Sequence, residues 1–178
     1  FFFGVIWIGV LYYFNFIQPK FFQDIDAATK SIAIQKLVPK ALWWFSWGAM
    51  FTFLTGLAFL AIRGGQIGPD FLKGSWGICI LTGAFLGTIM WANVWFVIWP
   101  KQKIVIQNAI DVASGKPANP SVGSIADRAF VVSRTNALFS IPMLFFMGAA
   151  THLPIGVGPD SNVGMLFGIY TVVVALLE

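Results

Sequence analysis

The sequence holds one cysteine and one histidine in 178 residues, and only 10 % of its side chains are charged. A single cysteine, Cys79, excludes both a disulfide framework and a CxxC pair. A single histidine, His152, excludes a zinc pattern and a bis-histidine haem site built from these residues alone. Neither a nucleotide-binding glycine loop nor a nucleophile–base pair is present. Soluble domains average about 25 % charged residues, and disordered chains carry still more charge with few aromatics. What fills the sequence instead is apolar: 58 % hydrophobic and 17 % aromatic residues, with a mean hydropathy of +0.80. A soluble fold of 19.6 kDa has too much surface for its mass to hide that much apolar side chain. The composition predicts a polytopic membrane protein.

Five apolar runs occupy residues 1–17, 41–62, 77–99, 130–150 and 163–178. A transmembrane helix needs about 20 residues, so the three middle runs read as complete spans. The first begins inside an apolar stretch at Phe1 and the last stops at Glu178, so both read as truncated spans. No run alternates with period two, and a backbone in lipid must satisfy its own hydrogen bonds. The expected fold is therefore all-α: a transmembrane helical bundle of about five spans forming one membrane domain over residues 1–178.

Basic residues set the expected orientation. Lys20, Lys30, Lys36 and Lys40 lie between runs one and two; Lys101, Lys103, Lys116 and Arg128 lie between runs three and four. The opposite side has only Arg63 and Lys73. The positive-inside rule places the two basic connections in the cytoplasm and the N-terminus outside. The net charge of +4 is spread along membrane flanks, which points to a lipid bilayer as partner and away from nucleic acid. Both connections also have helical periodicity. Phe22, Ile25, Ala28 and Ile32 recur within 21–38, and Ile106, Ala109, Ile110 and Ala113 within 101–113. These predict amphipathic helices on the membrane face, or cytoplasmic extensions of the spans. Residues 115–120, with two prolines, predict a loop.

Polar side chains inside apolar runs are costly and therefore informative. Asn15 closes run one, Asn93 lies in run three, and run four opens with Ser133-Arg134-Thr135-Asn136. Ser133, Asn136 and Ser140 share one helix face. Two readings stand side by side. Interhelical hydrogen bonds with a snorkelling Arg134 is one. The other is a polar cleft near the cytoplasmic face, holding an anionic or planar ligand against Asn15, Asn93, Arg134 and Asn136, with Trp91 or Trp95 stacked on it. Trp43, Trp44, Trp47, Trp95 and Trp99 fit an interfacial aromatic belt. Gly83 and Gly87 form a GxxxG pattern suited to close helix packing. Pro142 predicts a kink in the fourth run. His152 reads as an interfacial side chain rather than a metal ligand, and Asp160 with Asn162 as a solvated turn.

Four strings carry a resemblance: Trp7-Ile8-Gly9 with Leu11-Tyr12-Tyr13-Phe14-Asn15-Phe16; Lys36-Leu37-Val38-Pro39-Lys40-Ala41-Leu42-Trp43-Trp44-Phe45; Met90-Trp91-Ala92-Asn93-Val94-Trp95 through Ile98-Trp99-Pro100; and Ser133-Arg134-Thr135-Asn136 with Ser140-Ile141-Pro142-Met143. In this order they resemble the N-terminal membrane domain of the bacterial urate oxidase (urate hydroxylase) family of the PuuD type. The resemblance implies a multi-pass domain of the bacterial inner membrane. It also implies a cytochrome c domain outside the cytoplasm in full-length members, and urate oxidation with electrons passed to a c-type haem. This chain has no CxxCH, so any haem is supplied by residues or a partner outside it. Two functions follow as expectations. One is an accessory or redox-linked subunit of a membrane complex. The other is a membrane-bound oxidase of urate-like purines that reduces a c-type cytochrome.

Overall fold

A computed structural model describes residues 1–68 and 74–153, with Gly168 and Val172 beyond them. Among the described residues every regular element is helical. In chain order they are α1 (Phe2–Tyr12), a π-helical segment π1 (Tyr13–Ile17), α2 (Gln18–Asp24), α3 (Ala27–Lys36) and α4 (Val38–Ile67). Then come α5 (Ser75–Ala92), a second π-helical segment π2 (Asn93–Ile98), α6 (Trp99–Ala113) and α7 (Val122–His152). Four continuous stretches are long and apolar enough to cross a membrane: Phe2–Asp24, Ala27–Ile67, Ser75–Ala113 and Val122–His152. The chain is an all-α membrane protein. The fifth expected span, 163–178, lies outside the described residues, as do Asp160 and Asn162.

Two of these stretches are 41 and 39 residues long. At 1.5 Å per residue each reaches roughly 60 Å, about twice the hydrocarbon thickness of a bilayer. Their ends must leave the lipid. Those ends are the two basic connections: α6 continues α5 and π2 directly, and α3 runs into α4 through a single turn at Leu37. Of the two arrangements that the periodicity allows, the helices extend the spans, and α3 and α6 pack on one another.

The first connection differs from its expected single helix over 21–38. The backbone is extended at Ile25 (φ −106°, ψ 156°), and Asp26 caps a new helix. Its Oδ1 accepts from the backbone N–H groups of Ala28 (2.9 Å) and Thr29 (3.0 Å), while the Thr29 hydroxyl donates to Oδ2. The period-3.6 pattern passes through this point because Ile25 keeps its apolar place, yet a carboxylate that satisfies two orphan donors favours a fresh start. The Thr29 hydroxyl bond, and then the backbone bonds, hold the Asp26 carboxyl below the usual Asp range. A depressed folded value means that the cap's contribution is complete above the unfolded pKa and is lost as pH falls through the folded one. Protection of the Ala28 and Thr29 amides against exchange, relative to an unstructured chain at the same pH, is therefore expected to persist into mildly acidic buffer and to fall only below the ordinary Asp titration. Asp26→Ala should lower that protection wherever the wild-type carboxylate is ionised, and Asp26→Asn should keep it without the acid-induced loss.

A helix whose last carbonyls need partners ends differently after α6. Gly115, at φ +85°, lets its own N–H reach the Val112 carbonyl (3.0 Å) and the Lys116 N–H reach that of Asp111 (3.0 Å). This is the paired C-terminal stop that glycine permits in the left-handed region. The expected loop at 115–120 follows.

Both π-helical segments are followed, at the second residue of the next helix, by proline: Pro19 after Gln18 and Pro100 after Trp99. Proline supplies no N–H and crowds the carbonyl four residues back. The turn before each one widens, with Gln18 N–H donating to Tyr13 and Trp99 N–H to Val94, each five residues back. Pro142 meets the same problem within α7, which continues through it to His152.

The described residues divide between two compact units, one from 1–52 and 91–137, the other from 53–90 and 138–178. The core of the first includes Trp7, Leu11, Val38, Leu42, Phe45, Val94 and Ile98; that of the second, Ile78, Cys79, Leu86, Met90 and Met143. In the first unit α1 and π1 lie against α4, with Phe3 and Phe51 rings 4.7 Å apart and Phe14 and Phe45 rings 5.7 Å apart. In the second, Gly83 admits Met147 so closely that a Cβ there would stand 3.0 Å from Met147 Cγ, and Gly87 faces Met143. Outward-facing Leu54, Leu57, Phe59 and Ile62 on α4 and Leu144 and Phe145 on α7 show why water is the wrong solvent for these helices.

Candidate functional site

The two π-helical segments carry the two buried asparagines of runs one and three. Asn15 lies within π1 and Asn93 opens π2. π-turns inside α-helices occur often at functional sites, because the extra residue re-aims the side chains of that turn. Both asparagines meet α7 within the first unit. Asn15 Nδ2 donates to the Leu11 carbonyl (2.8 Å) and to Ser133 Oγ (2.8 Å), with the Ser133 carbonyl at 3.4 Å. Asn93 Nδ2 donates to Asn136 Oδ1 at 3.0 Å. Ser133 and Asn136 are one turn apart on the same face of α7, so that face fastens both π segments. Asn15, Asn93, Ser133 and Asn136 are all buried, Asn136 completely.

The hydroxyl bond is the least costly to remove. Ser133→Ala leaves Asn15 its Leu11 partner, so the expected loss is below about 1 kcal/mol, in line with single hydrogen bonds between membrane helices. Unfolding of the purified protein by a denaturing detergent measures it.

Other polar atoms of this unit are buried without a partner among the described residues. Asn15 Oδ1 accepts nothing, and Trp7 Nε1, Gln18 Oε1, Ser46 Oγ and Trp95 Nε1 are in the same condition. Trp7 and Ser46 are themselves buried. Sequence reasoning passed over Trp7, Gln18 and Ser46. A serine within an apolar run, four residues from Leu42 and three from Trp43, was the one available signal.

The remaining candidates stand apart from the amides. Arg134 is exposed, its guanidinium 5.4 Å from the centre of the Phe130 ring. Two residues from Asn136 on a helix is some 200° of rotation, so α7 cannot bury Asn136 in this packing and aim Arg134 at the same place. Trp91 sets its ring against Phe96 (5.9 Å), a contact five residues along that the π turn makes possible. Trp95 packs between Trp47 (5.7 Å) and Trp99 (5.6 Å). Among the described residues no three His, Cys, Asp or Glu side chains come together to hold a metal ion. The donor set does not fit a haem: His152 is exposed at the end of α7 and Cys79 is buried in α5.

Helices with apolar outer faces, joined inside by amide and hydroxyl bonds, define an integral membrane protein with a polar interior cluster. The urate oxidase N-terminal family model matches residues 72–177, more than half of the chain, and the chain belongs to that family. Of the four strings that carry the resemblance, the two around Asn93 and Asn136 fall inside the matched residues. No curated protein and no solved structure matches the chain.

Proposed function

We propose that this chain is a redox-linked accessory domain of a bacterial inner-membrane complex, with its basic helix extensions in the cytoplasm, and that its amide cluster holds a neutral, planar polar ligand. The observation that carries this reading is Asn15 Oδ1, a strong acceptor buried beside a bonded amide and without a donor among the described residues. A buried acceptor in that state costs about 1–3 kcal/mol, which a ligand N–H recovers. The side chains bonded in the cluster are amides and a hydroxyl, all uncharged, and they suit a ligand with both donor and acceptor edges. Family membership supports the redox link.

The second reading, a membrane-bound oxidase of urate-like purines that reduces a c-type cytochrome, is favoured by the family alone. Urate is an anion at neutral pH, and Arg134, the cation nearest to the cluster in sequence, points away from it. The charge balance therefore favours the accessory reading.

Extraction of the purified full-length protein, followed by mass spectrometry of the extract, tests the proposal. One small polar molecule per chain is expected from the wild type, and at least fivefold less from Asn15→Leu. An extract without such a molecule overturns the ligand assignment. Urate-dependent reduction of an added c-type cytochrome that Arg134→Ala abolishes would replace the first reading with the second.

A further inference from the structure

At the start of α4 the chain passes from its basic extension into its apolar body, and here the surface is hollowed. Pro39, Lys40, Trp43 and Trp44 line an open groove of about 380 Å³. Trp43 and Trp44 are 47 % and 49 % exposed. Lys40 precedes them by three and four residues, so all three side chains share one face of the helix. The indoles cross edge to face, with ring centres 5.2 Å apart.

These rings are held from behind. Trp43 touches Trp47 at 6.2 Å, Trp47 touches Trp95 at 5.7 Å, and Trp95 touches Trp99 at 5.6 Å. Beyond Trp99 the Lys103 ammonium sits 4.8 Å from the ring centre. The result is a ladder of five indoles across two helices of one unit, with a lysine at each end. A wall braced in this way loses little conformational freedom when something settles on it.

The chemistry of the groove selects its occupant. Indole faces at the level where a basic segment meets an apolar one favour glycerol and the upper part of an acyl chain. The ammonium of Lys40 favours a phosphate with net negative charge, which zwitterionic lipids lack. The surrounding connection adds Lys20, Lys30 and Lys36 to the same attraction. We propose that the groove of Pro39, Lys40, Trp43 and Trp44 is a binding site for one anionic phospholipid, its phosphate on Lys40 and its upper acyl chain along the two indoles.

The test uses the full chain in nanodiscs of phosphatidylcholine with a minor share of phosphatidylglycerol, released into native mass spectrometry. The wild type is expected to retain one phosphatidylglycerol in preference to phosphatidylcholine. Lys40→Gln should reduce that preference about fivefold, the factor that one lysine near a charged lipid surface is worth. Lys40→Arg should keep it, which separates loss of charge from loss of fold, and Lys116→Gln, in the loop after α6, should leave it intact. Equal retention of the two lipids by the wild type, or an undiminished preference in Lys40→Gln, overturns the proposal. So does displacement of the lipid by inorganic phosphate, which would make the groove a site for a free anion.

Discussion

Replacing Asn136 by alanine is expected to lower the unfolding free energy of the purified protein by about 2 kcal/mol, the cost of deleting a completely buried, hydrogen-bonded amide. Asn136 is completely buried, and its Oδ1 receives the Asn93 amide at 3.0 Å. Alanine removes that acceptor without letting water in, so the Asn93 amide loses a buried hydrogen bond in a medium that cannot replace it. That bond is lost equally when either of its two amides is removed. Combining Asn93→Ala with Asn136→Ala should therefore cost less than the two single changes added together. The shortfall, about 1 kcal/mol by comparison with other membrane helices, is read from a double-mutant cycle in denaturing detergent. Strict additivity would show that the two amides do not act as a pair.

The second large effect concerns Gly48. An added Cβ there would stand 3.2 Å from the backbone nitrogen of Trp7 and 3.4 Å from the Phe3 carbonyl oxygen and from Ile6 Cγ2. Two of these neighbours are backbone atoms of α1 and cannot swing aside. Gly48→Leu is expected to push α1 off α4 and to cost about 3 kcal/mol, the upper end for overpacking. Gly48→Ala gives the sharper test. Alanine in a helix interior ordinarily gains about 0.5–1 kcal/mol over glycine, and at Gly56, where nothing lies within 4 Å of the added atom, that gain should appear. At Gly48 the sign should reverse. At Gly83 the obstacle is the flexible Met147 side chain, so Gly83→Ala should fall between the two. Equal unfolding midpoints for the three alanine variants would refute this reading of helix contact.

These two residues illustrate what a one-dimensional pattern can carry. Gly83 and Gly87 draw attention because they repeat at a spacing of four, while Gly48 has no glycine at that spacing, the other glycine of its run, Gly56, being eight residues on. Yet it is Gly48 that meets a neighbouring backbone. Close approach depends on which helix lies opposite, and spacing within one helix is blind to that. The polar candidates divide in the same way. Asn15, Asn93 and Asn136 are visible as polar interruptions in apolar runs, and all three are buried in the structure. Arg134 carries the same signal and is exposed. Cost in lipid marks a residue as constrained; the constraint is met either by a partner inside or by reach to a polar boundary, as a long Arg side chain allows.

The π turns are legible only with hindsight. Each is followed by the string Ile-X-Pro-Lys, at Ile17 to Lys20 and at Ile98 to Lys101. Read along the chain, a proline near the end of a span announces a stop. In the structure the helix continues past it, and the strain is taken up one turn earlier, where the asparagines sit.

Composition and chain order were enough to decide that this protein is helical, that its long apolar stretches suit lipid rather than water, and roughly where those stretches lie. That much follows from transfer free energies and backbone hydrogen bonding, which act on each segment by itself. Which polar groups meet was decided only by tertiary packing. Asn15 finds Ser133 across 118 residues and Asn93 finds Asn136 across 43. Such pairs depend on the rotation and register of whole helices against one another, and no single segment contains that information.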